Sequence, residues 1–219
     1  MSFYILKIIT LLGGLAPFLF GMDIMGNSLE KLAGKDLSVR DNRTLNTLLY
    51  AISDIERIAD HAVAIAKAGE EINQKRINFS DEAKKELSIL EQAVMDIVGS
   101  SVAAFNHDNM AEAMRIEPLE QVVDTLVKEI KARHIRRLRD GKCTVEYGFV
   151  LEDMLTAYGR TADHCSNVAV EMLQVAEGKL EAHEYLGALK AGELQESAQF
   201  TKRFNAYKEK YAFDEEKTD

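Results

Sequence analysis

The sequence predicts an all-α fold, an antiparallel bundle of helices joined by short loops. Three observations carry that expectation. Proline occurs only twice in 219 residues, and Ala, Leu, Glu and Lys are plentiful, a composition that favours helix. Apolar residues recur at three- and four-residue steps over several long stretches, which marks one face of a helix. Alternation with the two-residue period of a strand does not stand out anywhere. At 47% hydrophobic residues, the chain has enough apolar material for a packed core.

The elements follow in order. Residues 8–22, IITLLGGLAPFLFGM, hold fifteen uncharged residues in a row. A membrane-spanning helix needs about twenty apolar residues, and Pro17 removes a backbone donor in mid-run. The start carries only Lys7 and no A-x-A cleavage pattern follows, which argues against a secretory signal. A short N-terminal apolar helix remains, either buried, interfacial or part of a membrane assembly. A long helix is expected over 41–73, where Leu45, Leu48, Ile52, Ile55, Ala59, Ala62, Val63 and Ala66 form a stripe. Asn78 to Glu82 reads as a loop with Ser80 as helix cap, opening a helix over 81–106. Asn106 to Asn109 breaks it. The next helix covers 109–139, with a kink or restart at Pro118. Asp140-Gly141-Lys142 is a turn, and a further helix runs over 144–176, ending near Gly178. Shorter helices are expected over 182–192 and 194–210, before an acidic tail.

The formal charge is −9. Neutralising phosphates requires a basic surface, so no nucleic-acid partner is expected. The basic run from Lys128 to Arg139 reads as the solvated side of a helix. Cys143 and Cys165 form neither a CxxC pair nor a disulfide framework, which suits a reducing compartment. No HExxH, nucleophile elbow or glycine-rich phosphate loop occurs, so the chain is not expected to be an enzyme.

One pattern occurs twice. Arg57-Ile58-Ala59-Asp60-His61 and Arg160-Thr161-Ala162-Asp163-His164 share the frame R-x-A-D-H, and their aspartates are 103 residues apart. That spacing suits a duplicated three-helix unit of about a hundred residues. Glu56 and Asp60 are four apart and share a helix face, with Glu56 falling within the apolar stripe between Leu49 and Val63. Glu120 and Asp124 repeat the E-x-x-x-D spacing, and Asp163 and Asn167 are again four apart. Carboxylates projecting from facing helices suit divalent cations or iron. Equally, Arg57 and Arg160 could neutralise these acids. His61 and His164 point about 100° away from their aspartates, which favours helix packing over ligation at the same site.

At these residues the chain becomes recognisable. DIERIADHAVAIA and GRTADHCSNVAV resemble the third-helix motif of PhoU domains, and EPLEQVVDTLVKEI resembles the second-helix motif. RHIRRLRDGKCTVEYGFV and the tail EAHEYL…FNAYKEKYAF resemble PhoU domains fused to sodium–phosphate cotransporters. ITLLGGLAPFLFGMDIMGNSLEKLAG is similar to the opening of the same transporter family. The departures are definite: no QSS motif occurs, one apolar segment stands where two membrane repeats are expected, and Pro17 replaces an apolar residue.

The resemblance implies four regions: a truncated membrane-type segment over 1–36, the last helix of a first repeat over 37–80, a complete second repeat over 81–178, and C-terminal helices with the acidic tail over 179–219. The chain would jump from the first transporter helix, near Gly34 to Leu37, into the first repeat. PhoU-type clusters imply metal ligands at Glu56 and Asp60, and at Glu120, Asp124 and Asp163. Gly159 stands where the motif expects a glutamate. The implied function is a regulatory or accessory module of sodium-dependent phosphate transport, not competent for transport alone. It would sit at the cell membrane through residues 8–22, with its PhoU-like part cytoplasmic and phosphate-transport or phosphate-signalling proteins as partners. Two alternatives stay open: a cytoplasmic metal-binding helical protein, monomeric or homodimeric, with residues 8–22 packed into the gap left by missing helices, and a non-functional remnant.

Overall fold

The computed structural model describes residues 39–177 and 197–213. Every regular element among them is a helix. These are α1 (Val39–Gln74), α2 (Asp81–His107), the single turn α3 (Met110–Ala113), α4 (Ile116–Arg139), α5 (Val145–Glu177) and α6 (Ser197–Lys210). The short helices expected over 8–22 and 182–192 lie outside the described residues.

Local chemistry sets the boundaries. Ser80 caps α2, its hydroxyl accepting from the Ala83 N–H at 3.3 Å, and Asp81 and Glu82 face the helix dipole in the first turn. Three helices end by the same device. Arg76 (φ 53°), Asp108 (φ 49°) and Gly141 (φ 70°) take left-handed conformations. The next residue in each case reaches back five positions: Ile77 N–H to Ile72 O, Asn109 N–H to Ala104 O and Lys142 N–H to Arg137 O, at 2.8–2.9 Å. This is the Schellman arrangement, which satisfies carbonyls left open at a helix end. Only Gly141 adopts that backbone without steric cost.

The expected helix over 109–139 is divided. Asn109 caps α3 through the Glu112 N–H at 3.2 Å, and α4 restarts at Ile116. Pro118 then lies in the first turn of α4, where its missing N–H has no partner to lose.

The helices α2, α4 and α5 form an antiparallel three-helix bundle. Leu90, Ile97, Leu119, Val123, Ile130, Leu151, Leu155 and Cys165 fill it, each no more than 1–2% exposed. Gly148 allows α5 to close on α4, since a β-carbon there would lie 2.9 Å from the His134 ring nitrogen Nε2. Glu86 of α2 is buried in the bundle wall, where Arg137 of α4 binds both its oxygens at 2.8 and 2.7 Å and Arg133 approaches to 3.5 Å. α6 packs along α4. Arg203 donates to the Met114 carbonyl at 2.9 Å, and Lys210 and Tyr211 hold the Asp96 carboxylate of α2 at 2.7 and 2.5 Å. Those donors keep the Asp96 carboxyl below its ordinary range.

α1 stands outside this bundle. It packs along α5 and makes no comparable contact with another described helix. The expected stripe is not the face it uses. Ile58, Ile65 and Ile72 pack on the core, and Ala51 and Ala68 are buried, so the seam runs along 51, 58, 65 and 72 with Asp54, His61 and Ala68 between. Glu56 is correspondingly outward. With Leu49 and Val63, 52% and 44% exposed, it lies on the side away from α5. α1 is apolar on two faces, and periodicity alone does not say which one meets α5.

Candidate functional site at the seam of the repeated helices

α1 and α5 carry the two R-x-A-D-H copies, and the structure brings the copies together. The helices run antiparallel. Asp54 meets Asn167 at one end of the seam and Lys75 meets Glu146 at the other, 3.7 Å apart. Between them His61 and His164, equivalent residues of the repeat, stack with ring centroids 5.4 Å apart and planes inclined by 23°. The repeat therefore folds as a local two-fold pair about the two imidazoles.

Around that centre the two sides differ. On one side Asp54 Oδ1 lies 2.6 Å from His164 Nδ1 and accepts from Asn167 Nδ2 at 3.1 Å. Holding Nδ1 as the donor fixes the tautomer of His164 when it is neutral. One turn further along α5, Glu171 has a buried oxygen, Oε2, without a partner. Burial, and then the Asp54 charge, push its carboxyl up to about 8. On the other side of the imidazoles the residue equivalent to Asp54 is Ala157. A shallow groove opens there, lined by His61, Lys67, Glu71, Asp153 and Thr156. Burial, and then the neighbouring His164, lower the His61 pKa, which favours its neutral ring.

The residues expected from sequence fall as follows. His61, His164 and Asn167 belong to the seam. Arg57 is exposed on α1. Arg160 is exposed and pairs with Asp163 at 3.2 Å. Asp124 is exposed and pairs with Lys128 at 2.5 Å. Glu120 is half-buried on α4, and Glu56 and Asp60 are exposed on α1. Among the described residues no three His, Cys, Asp or Glu side chains are grouped to hold a metal ion. In this arrangement the donor set does not fit a multinuclear cluster: Asp124 and Asp163 already face cations, and Gly159, beside Val127 of α4, supplies no ligand.

Sequence reasoning missed Asp54 and Glu171. Pairing the two motifs antiparallel about their histidines would have placed Asp54 against Asn167. Nothing local marks either acid. A second buried acid, Glu117 of α4, also escaped notice. It accepts from the Ser166 hydroxyl of α5 and from Gln121 Nε2, the latter at 3.3 Å.

Residues 87–172 match the family model described as the PhoU domain. Two curated relatives bear the name phosphate-specific transport system accessory protein PhoU homolog. The one from Thermotoga maritima, homolog 1, is 27% identical over 150 residues, covering 68% of this chain and 63% of the relative. The one from Clostridium acetobutylicum is 25% identical over 139 residues, covering 64% and 62%. The chain thus spans somewhat under two thirds of the length of these relatives. In structure it is similar to PhoU from Pseudomonas aeruginosa, with TM-score 0.68, 17% identity and 81% and 82% of the two chains covered. The phosphate transport system regulatory protein PhoU from Streptococcus pneumoniae gives TM-score 0.66, 17% identity, and 82% and 83%. The fold is a PhoU-like helix bundle, and the complete three-helix unit α2, α4 and α5 coincides with the matched domain.

Proposed function

We propose that this chain is an accessory, regulatory module of phosphate transport that acts by binding protein partners. The PhoU domain over 87–172 carries the reading, and the accessory role named for its relatives supports it. The seam gives such a module its working part. Among the described helices α1 is held by α5 and a small polar cluster, so a partner that binds α1 competes with that seam. Resemblance of both ends of the chain to sodium–phosphate cotransporters supports a narrower version, in which the transport partner moves phosphate together with sodium.

The test is expression of the chain in cells lacking their own PhoU-type regulator. Restored repression of a phosphate-starvation reporter, with normal phosphate uptake, is the expected result. A reporter that stays derepressed while folded chain accumulates overturns the proposal.

A single, weakly held metal ion at Glu120, Asp124 and Asp163 is the most this reading includes, and it would have to draw together side chains that are not grouped here and displace Lys128 and Arg160 from two of them. Chelation is expected to leave the thermal midpoint unchanged within error. A fall of several degrees on chelation would restore a structural metal site.

A further inference from the structure

The two sides of the seam are equivalent in backbone and different in side chains. Shifted by the 103 residues of the repeat, each contact across the local two-fold has a mirror. On one side the Asp54 carboxylate lies 2.6 Å from His164 and 3.1 Å from Asn167. The mirrored residues are Ala157, His61 and Ala64. All three line one groove between α1 and α5, of about 330 Å³, a size that suits a small ligand. Alanine replaces both the aspartate and the asparagine, so the space Asp54 fills beside His164 is open beside His61.

The groove is also polarised along its length. The register set by the Asp54–Asn167 and Lys75–Glu146 contacts places Lys67 nearly level with Asp153. Both residues are exposed on the rim, and among the described residues neither makes an ion pair. A helical side chain covers the turn N-terminal to its own Cα. In antiparallel helices Lys67 therefore leans toward His61, and Asp153 leans the other way, toward Glu71. Donors collect at the His61 end and carboxylates at the Asp153 end. Glu71 is already held by Lys75 at 2.8 Å, which leaves Asp153 as the open acceptor.

We infer that this groove binds a small zwitterion of the amino-carboxylate class, its carboxylate at His61 and Lys67 and its ammonium at Asp153. The carboxylate does for His61 what Asp54 does for His164. A plain oxyanion such as phosphate would meet two carboxylates in the same groove, on a chain of formal charge −9. The seven residues of rise between the levels of His61 and Asp153 amount to about 10 Å. Extended 4-aminobutyrate, with one hydrogen bond at each end, spans roughly that distance. Such a ligand touches both helices and so strengthens the hold of α5 on α1. The inference rests on the repeat and the groove, and stands or falls independently of the phosphate-transport reading.

The test is an NMR titration of the full chain with 4-aminobutyrate, butyrate, butylamine and inorganic phosphate, each to tens of millimolar. The expected result is that 4-aminobutyrate shifts the amides of residues 61–71 and 153–157, and slows hydrogen exchange along α1 but not α4. Butyrate and butylamine, each lacking one charged end, should bind more weakly. Ala157→Asp restores the mirror of Asp54 and should weaken binding about tenfold or more, by filling the groove with a like charge. If that variant fails to fold, the exposed changes Lys67→Gln and Asp153→Asn should each weaken binding about three- to fivefold. Unmoved amides in the groove overturn the inference, as does unchanged affinity in the variants. Butyrate or phosphate binding there as tightly as 4-aminobutyrate also overturns it, and assigns the groove to a simple oxyanion.

Discussion

Glu86 shows how one residue holds two helices in register. Its side chain is 3% exposed and gains three contacts from Arg133 and Arg137. Removing one member of such a group leaves buried charge uncompensated, a cost of about 3–5 kcal/mol. Glu86→Ala should therefore lower the urea midpoint steeply with little change in slope, as a loss of stability at constant exposed surface requires. An effect within 1 kcal/mol would show that water already screens the arginines. Glu171 makes a prediction of the opposite kind, about pH. Its folded carboxyl titrates at about 8 because burial and Asp54 disfavour the charged form, while the unfolded carboxyl titrates in the ordinary range near 4.3. Between those values the folded state binds the extra proton. Its stabilising contribution is complete at low pH, declines as pH rises through the window and is lost above about pH 8. Glu171→Gln keeps the shape and removes the titration. The variant should flatten the fall in thermal midpoint between pH 5 and 8, and gain on the parent most at the alkaline end. Parallel curves for the two proteins would place the titration elsewhere.

At the scale of an element, α1 differs from the bundle helices. Among the described helices, those of the bundle each have at least two neighbours, whereas α1 has α5, as α6 has α4. Asp54 ties it there through His164 and Asn167, and losing an acceptor from a mostly buried cluster costs about 1–3 kcal/mol. In Asp54→Ala, amide exchange along α1 should rise while α2 and α4 keep their protection. Uniform loss across all helices would mean that α1 and the bundle open as one unit. The same element shows what sequence could and could not reveal. The helices themselves were readable, because Ser80, Pro118, Gly141 and the apolar period act locally. The stripe over Leu45 to Ala66 was also real. It does not say which face meets α5, because α1 carries two apolar faces and the choice between them depends on what α5 offers. The repeat was visible as R-x-A-D-H, but the seam residues Asp54 and Glu171 derive their character from a partner more than a hundred residues away in sequence. The carboxylates with four-residue spacing, Glu56 and Asp60 on α1 and Glu120 and Asp124 on α4, share helix faces, and spacing fixes a face but not what the face meets.

For the whole molecule these differences predict a graded opening. The bundle of α2, α4 and α5, clasped by α6 through Asp96, has a continuous core of its own. α1 joins it through the short connection after Lys75 and Arg76, two exposed cations at a helix end where Arg76 takes φ 53°. Trypsin needs several residues of extended chain, and such segments come from the least stable part of a structure. Brief digestion should therefore cut first at Lys75 or Arg76 and leave a large fragment beginning near Ile77 that keeps a cooperative thermal transition. The fragment should melt below the intact protein, because His164 and Asn167 lose Asp54 and the side of α5 that packs on α1 loses its cover. Cutting distributed over α4, which carries many more cations, would show the opposite order of opening. It would also remove the physical basis for treating α1 as the part a partner can displace, since a regulator that works through one helix requires that helix to leave before the bundle does.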